Sequence, residues 1–438
     1  MIFRRRFDIM IAKWGVHMRI IKEEQKKTYQ TDTGLMQTVA EILNHVRNQG
    51  DAALAEYAEK FDGIHGMPLE ITKEDVQRAY AEVPAETVEY LKFAARQLEN
   101  YAKNQLACLH EMEMDSEVEG IRLGHRLIPV ETCGCYVPGG RYPLPSSALM
   151  SVLTAKIAGV KNVYACCPPS KQHGTVHPVV LAAMDIAGAD KIFCMGGAQA
   201  IGAFAYGTET VGRVDLIVGP GNRFVNEAKR QVMGAVGIDS LAGPSEVLII
   251  ADETANPEFV AIDILAQCEH DPNASAELVT TSPELAQKVL AEVDRLAEEL
   301  PTGKIAYQAW IDNGRIVLAE DMEEAVSIAN DKAPEHLEVQ TAEDDAVAAK
   351  LHNYGSLFIG SYTPVTFGDY CSGTNHILPT LQTAKFSNGV WVGTFIKTAF
   401  YQKATREGCE NLADACIHLA GVEGLCAHKK SVEIRVGK

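Results

Sequence analysis

The chain has 438 residues, 47% of them hydrophobic and 22% charged, which is long for a single hydrophobic core and too apolar for disorder. Its formal net charge is −18, with 58 acidic against 40 basic residues, which argues against a nucleic-acid surface of clustered Lys and Arg. No apolar run approaches the roughly 18 residues a membrane helix needs.

Eleven cysteines are scattered along the chain. The close pairs Cys133-x-Cys135 and Cys166-Cys167 have no CxxC spacing, so reduced thiols in a cytoplasmic protein are expected. Residues 1–30 read as an N-terminal tail. Arg4-Arg5-Arg6 precedes a short apolar stretch, no long h-region or cleavage site follows, and Met18 opens a more ordinary start. Residues 31–125 read as a helical region, with Val39, Ile42, Leu43 and Val46 at helical spacing and Pro84 as punctuation.

From Leu127 short β-like runs alternate with Ala-rich helices. Val163–Cys166, Lys191–Cys194 and Leu216–Val218 are expected strands, with helices near Val179–Ala187 and from Gln199. This predicts a parallel sheet covered on both faces over 126–240. A second α/β series over 241–380 has strands at Glu246–Ile250, Leu278–Thr280, Ile316–Leu318 and Leu357–Ile359, and a helix over Pro257–Glu269. Residues 381–438 are expected to be mainly helical, with a terminal strand Val432–Ile434. In open α/β sheets ligands sit at the carboxyl ends of strands, where the Gly-rich segments fall.

Tyr136-Val137-Pro138-Gly139-Gly140, Gly196-Gly197-Ala198-Gln199 and Gly219-Pro220-Gly221-Asn222 each follow an apolar run and precede a helical one. Such turns let backbone N–H groups approach a phosphate. None matches G-x-G-x-x-G, so on pattern alone they serve equally as structural turns. Gln267 and His270 share a helix face, an imidazole and an oxygen that suit zinc or simply form a surface pair. Glu335-His336 supplies two proton-transfer groups or a solvated loop. Gly368 to His376 is dense in Asp, Ser, Asn and His, as a ligand-lining loop would be. Glu423 and His428 lie near the C-terminus.

Taken together, Tyr136–Gly140, Gly196–Ala200, Gly219–Asn222, Ala242–Glu246, Pro334–Leu337 and Ser372–His376 resemble the histidinol dehydrogenase family, from about residue 30 to the end. The resemblance implies two Rossmann-like parallel-sheet units and a C-terminal segment exchanged across a homodimer. It implies an NAD-dependent, zinc-containing enzyme that oxidises a primary alcohol to a carboxylate in two hydride transfers. Gln267, His270, Asp369 and the partner's His428 would hold one zinc per subunit. His336 would be the general base, and Glu335 would activate water. Ser245, His376 and Glu423 would line the substrate pocket beside the zinc ligands and His336, while Tyr136, Gln199 and Asn222 would contact NAD.

Two branches of the family contend for the substrate. Gly140-Arg141-Tyr142 and Trp391–Thr398 look like the sulfopropanediol dehydrogenase branch, which oxidises 2,3-dihydroxypropane-1-sulfonate. Ser245, Pro334 and Asp369-Tyr370 look like the histidinol branch, which converts L-histidinol to L-histidine in histidine biosynthesis. The alternative from another class is a catalytically silent nucleotide-binding protein. It would be favoured by loss of Gln267, His270, Asp369, His428, Glu335 or His336, and all six are present.

Overall fold

The computed structural model describes residues 19–24, 32–66, 69–139 and 142–438. Most of the expected 1–30 tail lies outside these residues, as do Gly140 and Arg141. Arg19–Lys22, however, forms strand β1, where the sequence reading expects only a tail. Four residues carry too little periodicity to announce a strand, and their partner is an edge near residue 315.

Helix α1 (Thr33–Gln49) is capped by the Asp32 carboxylate on Leu35 N and buries Val39, Ile42, Leu43 and Val46. Helix α2 (Asp51–Tyr57) runs into a π-turn, Ala58–Asp62. Helix α3 (Lys73–Glu82) opens on a Thr72–Asp75 capping box, and α4 (Ala85–Ala107) starts after Pro84. The helical region then gives way to two strands, β2 (Met112–Asp115) and β3 (Ile121–Pro129).

The first parallel sheet alternates strand and helix. Its elements are β4 (Thr132–Tyr136), α5 (Pro145–Ala148), α6 (Thr154–Ile157), β5 (Asn162–Cys167) and α7 (Pro178–Ile186). They continue as β6 (Lys191–Cys194), α8 (Gly197–Tyr206), β7 (Leu216–Val218), α9 (Arg223–Val232) and β8 (Gly237–Ile238). Strand order is β6-β5-β4-β7-β8, parallel throughout. Alternation decides which helices each face meets. Cys133 and Cys135 pack with α4 and α7, whereas Tyr136 and Ile217 pack with α1, α8 and α9. The eleven cysteines are all free.

The second unit comprises β9 (Glu246–Ala251), α10 (Pro257–Cys268), β10 (Ser275–Thr280), α11 (Pro283–Glu299), α12 (Gly303–Asn313) and β11 (Arg315–Leu318). It closes with α13 (Met322–Lys332), β12 (His336–Gln340), α14 (Asp344–Ala348), β13 (Ser356–Ile359) and α15 (Val365–Tyr370). The order is β1-β11-β10-β9-β12-β13, with only β1 antiparallel. Val247 and Ile249 face α10, α11 and α12, while Leu248 and Ile250 face α13.

Two expectations for the last segment are corrected. Ile396–Ala404 is a strand, β14, paired along its length with β3 in a three-stranded antiparallel sheet. Its partner is some 270 residues away in sequence, beyond the reach of local pattern. Val432–Ile434 is helical: it lies in α17 (Cys426–Val436), which packs on α16 (Arg406–Val422). Lys429 and Lys430 pair with Glu433 at helical spacing, at 3.8 and 3.2 Å, which supports helix over a three-residue alternation.

Lys22 ties β1 to the second unit. It is 3% exposed, donates to the carbonyls of Gly314 and Ile311, and lies 4.6 Å from the Trp310 ring centroid. Lys22→Ala removes these bonds and the stem packed on Trp310, and should cost about 2–4 kcal/mol in urea unfolding. Lys22→Met keeps the stem and should lose clearly less. Equal losses would mean that the stem contributes nothing.

Candidate active site

The polar residues expected to act together converge where the two units meet, on the amino edge of the second sheet. The Gly-rich turns, by contrast, lie at the carboxyl ends of strands in the first sheet, as expected. Helix α10 runs back antiparallel to β9, so its C-terminal end, carrying Gln267 and then His270, returns to the edge where β9 and β12 begin. Asp369 sits in the last turn of α15. Tyr370 beside it feels the charge of Glu269, so the two helix ends approach each other. Helix C-termini carry partial negative charge and favour a cation.

Ala333 ends α13 in the left-handed region, at φ 48°, a conformation that costs a non-glycine residue about 1 kcal/mol or more. That turn delivers Pro334, Glu335 and His336 to the start of β12. One residue of the neighbouring strand then fixes both acid–base groups. The Glu246 N–H donates to Glu335 Oε2 at 3.0 Å, and His336 Nδ1 lies 3.2 Å from the Glu246 carbonyl. A carbonyl only accepts, so the proton is assigned to Nδ1 and the Nε2 lone pair faces the site. Nε2 is buried without a hydrogen-bond partner, 3.9 Å from Asp369 Oδ1. Ser245 lies close enough to Glu335 to offset part of the rise in its pKa.

His376 joins the two units. Its Nδ1 lies 3.0 Å from the Asp369 carbonyl and its Nε2 3.2 Å from the hydroxyl of Ser147, on α5. Asn375 donates to the Met150 carbonyl at 2.8 Å, Gly243 N donates to Thr380 Oγ1 at 2.5 Å, and Leu381 N to Glu246 Oε1 at 3.1 Å. Residues 375–381 are thus a seam between the units, hydrogen-bonded through Asn375, His376, Thr380 and the Leu381 N–H.

Burial sets the protonation states. Desolvation, reinforced by His270 and His376, lowers His336 to about 3; desolvation and His270 lower His376 to about 4. His270 lies at the open rim, yet crowding around its ring also lowers its pKa. Desolvation raises Asp369 to about 7 and, aided by Glu246 and Asp369, pushes Glu335 far above the carboxylate range. Near neutral pH the free site therefore holds neutral imidazoles and a protonated Glu335, with Asp369 close to its midpoint.

Glu423 and His428 do not join this cluster. Both are exposed at the C-terminal helices, and neither forms a hydrogen bond or ion pair with it. Among the described residues no three His, Cys, Asp or Glu side chains are grouped to hold a metal ion. Gln267, His270 and Asp369 bring only two such side chains.

The expected nucleotide contacts line the other sheet's carboxyl edge. Tyr136 is buried, its hydroxyl accepting from Gly197 N at 3.2 Å. Gln199 is buried in the first turn of α8. Asn222 caps α9, accepting from Phe224 N and Val225 N. Gly219 has φ 119°, and a Cβ there would lie 2.0 Å from the Tyr136 carbonyl oxygen; only glycine fits. Asp239 holds this turn by accepting from Gly219 N and from the buried Lys229 ammonium.

Sequence reasoning missed the holding role of Glu246 and a polar line behind His336. Glu338 and Gln340 follow at alternate positions on β12, and Gln340 Nε2 bridges Glu338 at 3.1 Å and Asp263 of α10 at 3.2 Å. Desolvation and then the approach of Asp263 push Glu338 upward, so this pair retains a proton. The available signal was alternating polar residues in a fully buried parallel strand, where a continuous apolar run is usual.

A model of the histidinol dehydrogenase family matches residues 25–436. A histidinol dehydrogenase of Methanocaldococcus jannaschii is 44% identical over 421 residues, covering 95% of this chain and 97% of that protein. A histidinol dehydrogenase homolog of Shouchella clausii is 43% identical over 400 residues, covering 91% and 94%. The crystal structure of histidinol dehydrogenase from Elizabethkingia anophelis superposes with a TM-score of 0.88 at 35% identity, covering 94% of each chain. No helix among the described residues is long and apolar enough to cross a membrane.

The shifted groups have opposite linkages. An imidazole held below its unfolded value resists protonation, so its contribution to stability falls as pH drops below about 6.5. Asp369 and Glu335, held above theirs, contribute less as pH rises. For the metal-free protein, His376→Asn should make the loss of stability between pH 7 and pH 5 shallower than wild type by about 1–2 kcal/mol. Asp369→Asn should make it steeper. Urea unfolding at both pH values tests this, and parallel curves for all three proteins would contradict these protonation states.

Proposed function

This chain belongs to the histidinol dehydrogenase family, and on that premise we propose that it oxidises L-histidinol through the aldehyde to L-histidine, with NAD as electron acceptor and one zinc per subunit. The observation that carries the reading is the peptide of Glu246, which holds Glu335 and His336 together with His336 Nε2 free.

The residues present fit a zinc ion. Gln267 is 3% exposed and its amide nitrogen has no partner; a half-turn of the amide, whose oxygen and nitrogen are interchangeable in assignment, would put its oxygen, a zinc donor, at that unpaired position. His270 is kept neutral, as a ligand must be. Gln267, His270 and Asp369 would hold the metal, with His428 of the partner subunit completing the set in a homodimer. Bound zinc would supply positive charge that orients the alcohol oxygen and favours the ionised forms of Asp369 and Glu335.

In the first oxidation His336 Nε2 accepts the hydroxyl proton as the hydride leaves for the nicotinamide. Neutral imidazole is the state a base requires. Glu335, once ionised, takes a proton from the water that adds to the aldehyde, and His336 accepts the next hydroxyl proton as the second hydride leaves. One alcohol, one water and two NAD give one carboxylate, two NADH and three protons. Ser245, His376 and the partner subunit's Glu423 would bind the rest of the substrate. Imidazole and carboxyl groups suit an amino-imidazole substrate, whereas a sulfonate calls for cationic or N–H donors. The nearby cation Lys332 is already paired with Glu246 and Glu277, at 3.9 and 4.0 Å.

Two predictions test this reading. Glu335→Gln should retain most of the alcohol-to-aldehyde step and slow the aldehyde-to-acid step about 10²–10⁴-fold, while His336→Ala slows both. Single-turnover NADH formation from alcohol and from aldehyde separates them; equal slowing of both steps by Glu335→Gln would overturn the division of roles. Mixing inactive His336→Ala with inactive His428→Ala chains should restore activity after subunit exchange, since some mixed dimers contain one intact site. No recovery after verified exchange would contradict a shared site.

A further inference from the structure

Behind the site residues stands a second polar tier. Gln267, His336 and Asp369 belong to three elements, α10, β12 and α15. One helical turn back along α10 is Asp263, one strand repeat further along β12 is Glu338, and one turn back along α15 is Val365. His336 is the register partner of Val247, which faces α10. Alternation keeps Glu338 and Gln340 on that face, while Leu337 and Val339 pack on the other. Gln340 Nε2 donates to Asp263 Oδ2 at 3.2 Å and to Glu338 Oε2 at 3.1 Å. The Val365 backbone lies close enough to Glu338 to offset part of the rise in its pKa. The tier thus meets all three elements that carry site residues.

Stability alone does not account for these groups. Glu338 is 1% exposed, and no cation shifts either carboxyl among the described residues. Burial pushes both upward, and the approach of Asp263 pushes Glu338 further, so Glu338 keeps its proton. Its Oε1 has no other partner and is the oxygen left to donate to Asp263. Gln340 Oε1 is also buried and unpaired, and a half-satisfied buried network is worse for stability than an apolar core. Helix α15 is seated closely too. A Cβ on Gly368 would lie 2.8 Å from the Phe358 ring, whose centroid is 6.0 Å from that of His336.

We propose that Glu338 and Asp263 are positioning residues, a hydrogen-bonded acid pair that fastens α10 and α15 to β12 and so sets Gln267 and Asp369 against His336. Neither acid touches the reacting atoms. The pair acts by fixing where the metal ligands stand relative to Nε2 of the base before zinc or alcohol arrives. This rests on the zinc and histidinol reading above.

The test compares wild type with Glu338→Leu, Asp263→Asn, Glu338→Gln and Val339→Ala, the last weakening β12 from its opposite face. The measurements are urea stability, zinc affinity by competition with a chromophoric chelator, and kcat and KM for histidinol and NAD at saturating zinc. Glu338→Leu should weaken zinc binding about 10- to 100-fold. It should also lower kcat about 10²-fold, with KM for NAD unchanged. Asp263→Asn keeps the volume but has one acceptor oxygen in place of two. It should show the same pattern to a smaller degree, and it decides the matter if Glu338→Leu does not fold. The amide N–H in Glu338→Gln can donate to Asp263 as the acid does, so this variant should stay near wild type in zinc affinity and kcat. Val339→Ala should lose stability and keep both. If Glu338→Leu and Asp263→Asn behave like Val339→Ala, or if Glu338→Gln falls as far as Glu338→Leu, the positioning role is overturned and the functional reading stands. If wild type neither binds zinc nor oxidises histidinol, both fail.

Discussion

Everything at the candidate active site depends on the peptide groups of Glu246. Its N–H holds the Glu335 carboxyl and its carbonyl orients His336, so the spacing of acid and base follows from the pairing of two strands. The same residue's carboxylate accepts from Leu381 N, which ties this geometry to the seam between the units. A backbone donor and acceptor cannot swing away as a side chain can, so the arrangement is set before substrate arrives. Such preorganisation avoids reorganisation at the moment of reaction.

The two sheets present opposite edges to the chemistry, and helix polarity gives that arrangement its sense. The first sheet offers carboxyl ends and the N-termini of α8 and α9, whose partial positive charge suits phosphate. The second offers amino ends and the C-termini of α10 and α15, which suit a cation. Residues 375–381 join these environments through Asn375, His376 and Thr380. Their backbone and side chains also satisfy polar groups that the interface would otherwise bury unpaired.

Burial at this junction is itself a functional constraint. The buried side-chain atoms without partners among the described residues are Gln267 Nε2, His336 Nε2, Glu338 Oε1 and Gln340 Oε1. All lie on α10 or β12. A protein optimised only for stability would pair or remove such groups. His336 Nε2 leaves unsatisfied polarity beside Asp369, where a ligand would compensate it, while Gln340 bridges Asp263 and Glu338 and so couples α10 to β12 behind the site.

Strong local periodicity and turn chemistry made much of the α/β pattern legible. Lys191–Cys194 and Leu216–Val218 are strands over the residues expected, because buried parallel strands read as apolar runs bounded by breakers. The six matching motifs also carried the family, together with the candidates Glu335, His336, Gln267, His270 and Asp369. Partner choice and edge orientation were decided only in three dimensions. β1 and β14 find strands far away in sequence, and the alternating Val432–Ile434 stays helical within α17. The return of α10 against β9 put the cluster at amino ends, and Glu246 gained its role through hydrogen bonds across strands, 89 and 90 residues from its two partners in sequence. Local residue patterns specify which groups are present and which segments are apolar; long-range pairing and helix direction decide which groups meet and in what protonation state.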